Sequence, residues 1–247
     1  MKIFYILLII SVPLQLRAQT FIEKGVVEYE VKTNIQKTLG NNSWAEKLKE
    51  TLPQFKTAFY SLTFSNNQNI YKFSHWDEKV KLPEFLKADD EEKFWFLDFG
   101  RQYYSMKKSI FGSSCVVQDS LMPIRWKLLN ENRNIAGFNC RKAVGVIFDS
   151  VYVYAFYTDE ITLPGGPCSI NGLPGLILGM TIPRMYTSWI ATKVQVTDIP
   201  AEQIKDFNSK NMFTKKSLKV FLDDRLKQFQ SDQFGDFVTQ MYWNAFL

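Results

Sequence analysis

The sequence predicts a mainly β (α+β) protein: a curved antiparallel sheet or open barrel, with one N-terminal helix and C-terminal helices packed on it. Three observations lead there. Aromatic residues are abundant, with 21 Phe, 11 Tyr and 6 Trp, which suits strands and a filled core. Short stretches alternating between apolar and polar residues recur from Gly25 to Val196, the period of a strand with one buried face. From about residue 200 the apolar positions change to helical spacing.

Met1-Lys2, the apolar run Ile3 to Ile10, and Ala18 ahead of Gln19 describe a secretory leader cut after Ala18. Residues 19–247 are then expected to form a single domain. Loss of the leader removes Lys2 and Arg17 and no acid, so the formal charge of +5 falls by two. That mild balance is no footprint for nucleic acid. Cys115 is the first cysteine, too far from the cut to carry a lipid. No later stretch approaches the ~20 apolar residues that a spanning helix needs. The expected location is the periplasm or the cell exterior.

Val27, Tyr29 and Val31 share one face of a strand over Gly25 to Thr33. Ser43 followed by Glu46 reads as a capping box, and Trp44, Leu48, Leu52 and Phe55 continue a helix that Pro53 ends or kinks. Strands follow at Phe59 to Ser65 and Asn69 to Ser74, separated by the turn-rich Asn66-Asn67-Gln68. Lys81 to Lys93 reads as a loop or short helix whose acidic run, Asp89 to Glu92, is a solvated face without the alternation of a calcium loop. Phe94 to Phe99 and Gln102 to Lys107 form a hairpin around Gly100. Further strands fit Ser114 to Asp119 and Ile124 to Asn130.

The clearest hairpin joins Cys140 to Phe148 with Val151 to Tyr157 at Asp149-Ser150. Both of its faces are apolar, which predicts a central position covered on both sides. Leu176 to Ile182 and Thr187 to Val196 complete the strands. Leu218, Phe221, Leu222, Leu226 and Phe229, then Phe234, Phe237, Val238, Met241 and Tyr242, form the core-facing stripes of two helices.

Candidate chemistry is sparse. Cys115, Cys140 and Cys168 belong to an oxidising compartment, where a disulfide persists, and one of the three must be left over. Cys140 and Cys168 flank the hairpin, so three readings stay open: a bridge between them, a buried unpaired pair, or a soft-metal site with Met180 or Met185. His75 is the only histidine, which leaves little for a Ser-His-Asp or two-His zinc site. Asp159 and Glu160 point to opposite faces of a strand and cannot flank one glycosidic bond. Arg141-Lys142 and Lys215-Lys216 are too short for nucleic acid.

Gly172-Leu173-Pro174-Gly175-Leu176-Ile177 is the hexapeptide after which the GLPGLI family is named. Upstream, Ile135-Ala136-Gly137-Phe138-Asn139-Cys140-Arg141-Lys142-Ala143 resembles a second segment of that family, and Ala155-Phe156-Tyr157-Thr158-Asp159-Glu160-Ile161 a third. Gly166-Pro167 resembles the pair that introduces the name motif, Trp126-Lys127-Leu128 a strand start, and Gly25-Val26-Val27-Glu28-Tyr29 the first strand. The resemblance is concentrated in roughly residues 120 to 197. It implies a secreted or periplasmic Bacteroidetes protein with no assignable activity, working near outer-membrane uptake machinery. In physical terms the hexapeptide reads as a turn, with its glycines free to take positive φ, leading into a core strand.

The expected function is therefore non-enzymatic: an envelope protein binding a protein partner or an apolar or peptide ligand, with no cofactor. A copper-type metal handler using Cys140, Cys168 and Met180, and an unrecognised hydrolase, are the alternatives.

Overall fold

The computed structural model describes residues 21–40, 43–207, 209, 212–229 and 235–247. The expected leader at 1–18 and Phe234 lie outside the described residues. The strands, in chain order, are β1 (Lys24–Asn34), β2 (Phe55–Ser65), β3 (Gln68–Trp76), β4 (Phe94–Asp98), β5 (Tyr103–Ile110), β6 (Ser113–Ser120), β7 (Trp126–Ile135), β8 (Phe138–Ile147), β9 (Val151–Thr158), β10 (Leu176–Ile182), β11 (Thr187–Gln195) and β12 (Met212–Phe213). The helices are α1 (Ile35–Thr38), α2 (Ser43–Lys49), α3 (Ala88–Glu91), α4 (Lys215–Leu226) and α5 (Gly235–Phe246).

All the strands join one open sheet in the order β12-β6-β5-β4-β3-β2-β1-β11-β10-β9-β8-β7. Two-residue hairpin loops set much of the register. Phe111-Gly112 and Ala136-Gly137 each place both residues at positive φ, the geometry whose twist matches the flanking strands. The sheet is antiparallel as expected except for one pair. β12 pairs with β6 in parallel, because it arrives by a long connection and no tight turn imposes the opposite direction.

The inner face carries Tyr29, Leu62, Phe64, Tyr71, Leu97, Met106 and Val117, all buried. α4 adds Leu218, Leu222 and Leu226 to the same core, each leucine contributing about 1.5–3 kcal/mol of burial. Thr214 caps α4, accepting from the Ser217 N–H at 3.2 Å while the Ser217 hydroxyl accepts from the Thr214 N–H at 2.9 Å. On the outer face of β3 to β5, Ile199 and Ile204 close a second small core over Ile70 and Phe96.

Several elements differ from their sequence-based expectations. α2 stops at Lys49 and β2 already begins at Phe55, so Leu52 and Phe55 leave the helical stripe. α1 was not foreseen. Its cap is Asn34, whose side-chain oxygen accepts from the Lys37 N–H at 3.1 Å. The β8–β9 hairpin is covered on its inner face only, with Tyr152 54 % and Tyr154 37 % exposed on the other. It also sits one strand in from the edge, beside β7. In α5 the buried positions are Gln240 and Ala245, whereas Val238, Met241 and Tyr242 pack only partly against the core. Among the described residues no helix is long and apolar enough to cross a membrane.

Candidate functional site

The connection from β9 to β10 lies inside the molecule. Ile161, Leu163, Ile170 and Leu173 are fully buried, so the irregular backbone around them needs internal partners. It finds them. The Leu176 N–H donates to Ile161 O at 3.1 Å, Ile177 to Gly165 O at 2.9 Å, and Gly172 to Pro164 O at 3.0 Å. The Tyr29 hydroxyl donates to Ile177 O at 2.7 Å, and the Trp126 indole to Asn171 O at 2.9 Å. Gly175 has φ 149°, and a Cβ there would lie 2.0 Å from the Thr158 carbonyl oxygen. Gly172, Leu173, Pro174, Gly175, Leu176 and Ile177 thus form a turn wedged against β9 that feeds the first residues of β10. No side chain in the hexapeptide offers acid, base or metal chemistry.

Cys115, Cys140 and Cys168 are all buried and free. The bridge allowed between Cys140 and Cys168 is not formed. The two thiols occupy different surroundings: Cys140 contacts Phe138 O at 3.6 Å, and Cys168 sits in the electrostatic reach of Lys108, Lys93 and Asp90. Burial, and for Cys140 also the Glu160 carboxylate, pushes both thiols up to about 12, far from the thiolate that metals and nucleophilic chemistry require. Met180 and Met185 are packed in the core. Among the described residues no three His, Cys, Asp or Glu side chains gather as metal ligands.

An ionic cluster occupies the inner face near α3. Asp90, expected as part of a solvated run, is buried and ion-paired to both Lys56 and Lys93, and it accepts from the Tyr60 hydroxyl at 3.0 Å. Burial works to raise its pKa, but Lys93 and Lys56 outweigh that and hold the carboxyl well below the ordinary range. Deeper in, Lys108 donates to the Asn244 carbonyl at 2.5 Å and lies over the Trp95 ring. Burial, reinforced by the charge on Lys93, lowers its pKa to about 7. Asp90 and Lys108 are buried in this cluster, whereas Lys56 and Lys93 reach partly into solvent.

An open concave site lies elsewhere, where α1, α2, α5 and the turn Pro183–Met185 meet. It is a cleft of about 430 Å³ whose walls include Lys37, Lys49, Arg184, Tyr186, Gln240 and Trp243. Cross-links hold these walls. The Asn34 N–H donates to Tyr186 O at 2.9 Å, tying the end of β1 to that turn. Gln36 Nε2 donates to Lys49 O at 3.0 Å and Leu52 O at 2.9 Å, and Gln240 Nε2 to Arg184 O at 2.5 Å. Lys37 lies over the Tyr186 ring at 5.8 Å, and Arg184 over the Trp243 ring at 4.6 Å. Neither cation has a carboxylate partner among the described residues. The buried Gln240 Oε1 has no hydrogen-bond partner among the described residues.

Such a cleft can grip a polar or charged group; among its described lining residues no nucleophile is hydrogen-bonded to a base. His75 is not among the cleft's lining residues; it stacks on Phe59 at 4.5 Å with its Nδ1 3.1 Å from Ser74 Oγ. Asp159 is exposed at the end of β9, and Glu160 lies near the Thr158 hydroxyl and within electrostatic reach of Cys140. Sequence reasoning missed the cleft entirely. One signal was present: Asn34, three residues before Lys37, is a cap pattern for the short helix that presents that lysine.

The chain matches no protein-family model and no curated protein. Solved structures similar to it include PNGF-II in two crystal forms, 16 % identical in each. One match covers 80 % of this chain and 32 % of the other at a TM-score of 0.51; the second covers 90 % and 33 % at 0.49. An uncharacterized conserved protein from Thermus thermophilus is 8 % identical over 76 % of this chain and 90 % of that one, with a TM-score of 0.38. This chain therefore spans about a third of the PNGF-II chains. The first likeness bears on the fold alone.

Proposed function

We propose that this chain is a non-enzymatic envelope protein of the GLPGLI type, exported after cleavage near Ala18, that holds a ligand or a partner's segment in the cleft between α1, α2 and α5. The family reading rests on the four ordered motifs from Ile135 to Ile177 and the leader-like start. The binding reading rests on one observation: two cations, Lys37 and Arg184, are set over aromatic rings at the walls of an open cleft and are not ion-paired within the described chain. The inner face of the sheet is filled by the β9–β10 connection and the terminal helices, which weighs against carriage of an apolar cargo there.

Thr239 lines the cleft and is only partly buried, so Thr239→Trp fills it from one wall. Native mass spectrometry after exposure to an envelope extract is expected to show a bound species on the wild type that this variant lacks. Identical spectra for the two proteins would refute the proposal.

A further inference from the structure

Three cations, Lys37, Lys49 and Arg184, face one carboxylate, Asp236, around the cleft. Lys49 is engaged by Glu46 at 2.7 Å, which leaves Lys37 and Arg184 as the unneutralised pair. Their rings matter. A guanidinium stacked on Trp243 and an ammonium over Tyr186 keep their charge while part of their hydration shell is replaced by an aromatic face. Among the described residues the Arg184 guanidinium makes one hydrogen bond, a long one of 3.3 Å to the Ser150 hydroxyl, so its fork of donors is largely unspent there.

Gln240 supplies the complementary chemistry. Its Nε2 is committed to Arg184 O, which fixes the amide's orientation and leaves Oε1 as an acceptor without a donor. A buried acceptor in that state costs about 1–3 kcal/mol, a cost that a ligand's N–H or O–H would relieve. Donors for an anion and an acceptor for a neighbouring N–H thus occur around one cleft. A peptide's carboxyl end has that pairing: a carboxylate with the last amide N–H beside it.

We infer that the cleft recognises the carboxyl end of a peptide chain, the carboxylate held by Arg184 and Lys37 and the adjoining amide N–H directed to Gln240. This rests on the binding reading above and narrows it to one ligand class. Trp243 and Tyr186 contribute flat walls along which the preceding residues lie, and the openness of the cleft to solvent admits a chain entering from one side. Charge-assisted hydrogen bonds of this kind contribute roughly 10- to 100-fold in affinity each.

Calorimetric titration of the full mature chain with three probes tests it: an N-acetylated tripeptide with a free carboxylate, the same tripeptide as its C-terminal amide, and glucuronate. The acid is expected to bind at least tenfold more tightly than the amide. Arg184→Gln and Lys37→Gln should each weaken the acid about tenfold and narrow its advantage over the amide. Since both side chains stand at the cleft surface, either variant serves if the other fails to fold. Equal binding of acid and amide overturns the inference, although the binding proposal survives. Glucuronate binding without peptide binding likewise overturns it in favour of an acidic sugar. If no probe binds while the extract species still depends on an unfilled cleft, the ligand class is wrong; if that species is absent as well, the binding proposal itself falls.

Discussion

Lys108 directs its ammonium into the core, where it meets the Asn244 carbonyl near the end of α5 and the face of Trp95. The groups acting on it are Lys93, Cys168 and Asp90. Its folded pKa of about 7 lies below the ordinary lysine value, so above pH 7 the folded state has released a proton that the unfolded chain still binds. Stability from this group therefore rises with pH, by up to about 1.4 kcal/mol per unit, and the full cost of burying the charge is borne below pH 7. The buried thiols of Cys115, Cys140 and Cys168, raised by burial, act in the opposite sense as unfolded cysteine ionises around 8.5, so over the interval from pH 7 to 8.5 the lysine is isolated by comparison with Lys108→Met, which carries the same thiols. Urea unfolding across it should show the wild type gaining stability relative to Lys108→Met; parallel curves would remove the assigned role. The strand expected over Gln102 to Lys107 stops one residue short of Lys108; β5 runs on to Ile110, and its two-residue period then places Lys108 on the same face as Tyr104 and Met106. What it meets there was not legible in the sequence, since Trp95 and Asn244 come from distant parts of the chain.

Among the elements, the connection from β9 to β10 carries an unusual share of the order. It is irregular yet buried, and it is held by backbone hydrogen bonds back onto itself and by Tyr29 and Trp126. Gly175 is its tightest point, since a methyl group would strike the Thr158 carbonyl, part of β9 itself. Neither strand can yield without breaking pairing between β9 and β10. Gly175→Ala is expected to destabilise the protein by about 3 kcal/mol or more, read as a lower urea midpoint at unchanged slope. A midpoint within error of the wild type would show that the turn relaxes freely. The bounds of β10, Leu176 to Ile182, were readable from a continuous apolar run after a Gly-Pro turn. α2 was read too long because Leu52 and Phe55 fall at helical spacing by coincidence, while Pro53 and the pairing of β2 with β1 decide otherwise.

At the scale of the whole molecule, α5 ties together parts far apart in sequence. Trp95 of β4 donates to the Leu247 main-chain oxygen at 2.9 Å, Gln240 holds the turn at Arg184, and Tyr242 bonds to Asp223 of α4. A chain ended before Gly235 should lose the cleft, bind an apolar dye strongly and unfold over a broadened urea range; retention of the wild-type transition would show α5 to be peripheral. Residue spacing alone determined the mainly β class, most strand positions, the two terminal helices and the turn character of the hexapeptide. These follow from local rules: a period of two or 3.6 and the dihedral demands of glycine and proline. Only the tertiary structure decided that Asp90 turns inward between Lys56 and Lys93, that Cys140 and Cys168 are unbridged, and that Asn34 to Gly40, Lys49, Arg184 to Tyr186 and Asp236 to Trp243 close around one cleft. The strand order that seats β11 beside β1 and the docking of α5 bring those segments together, and no spacing within any one of them encodes that meeting.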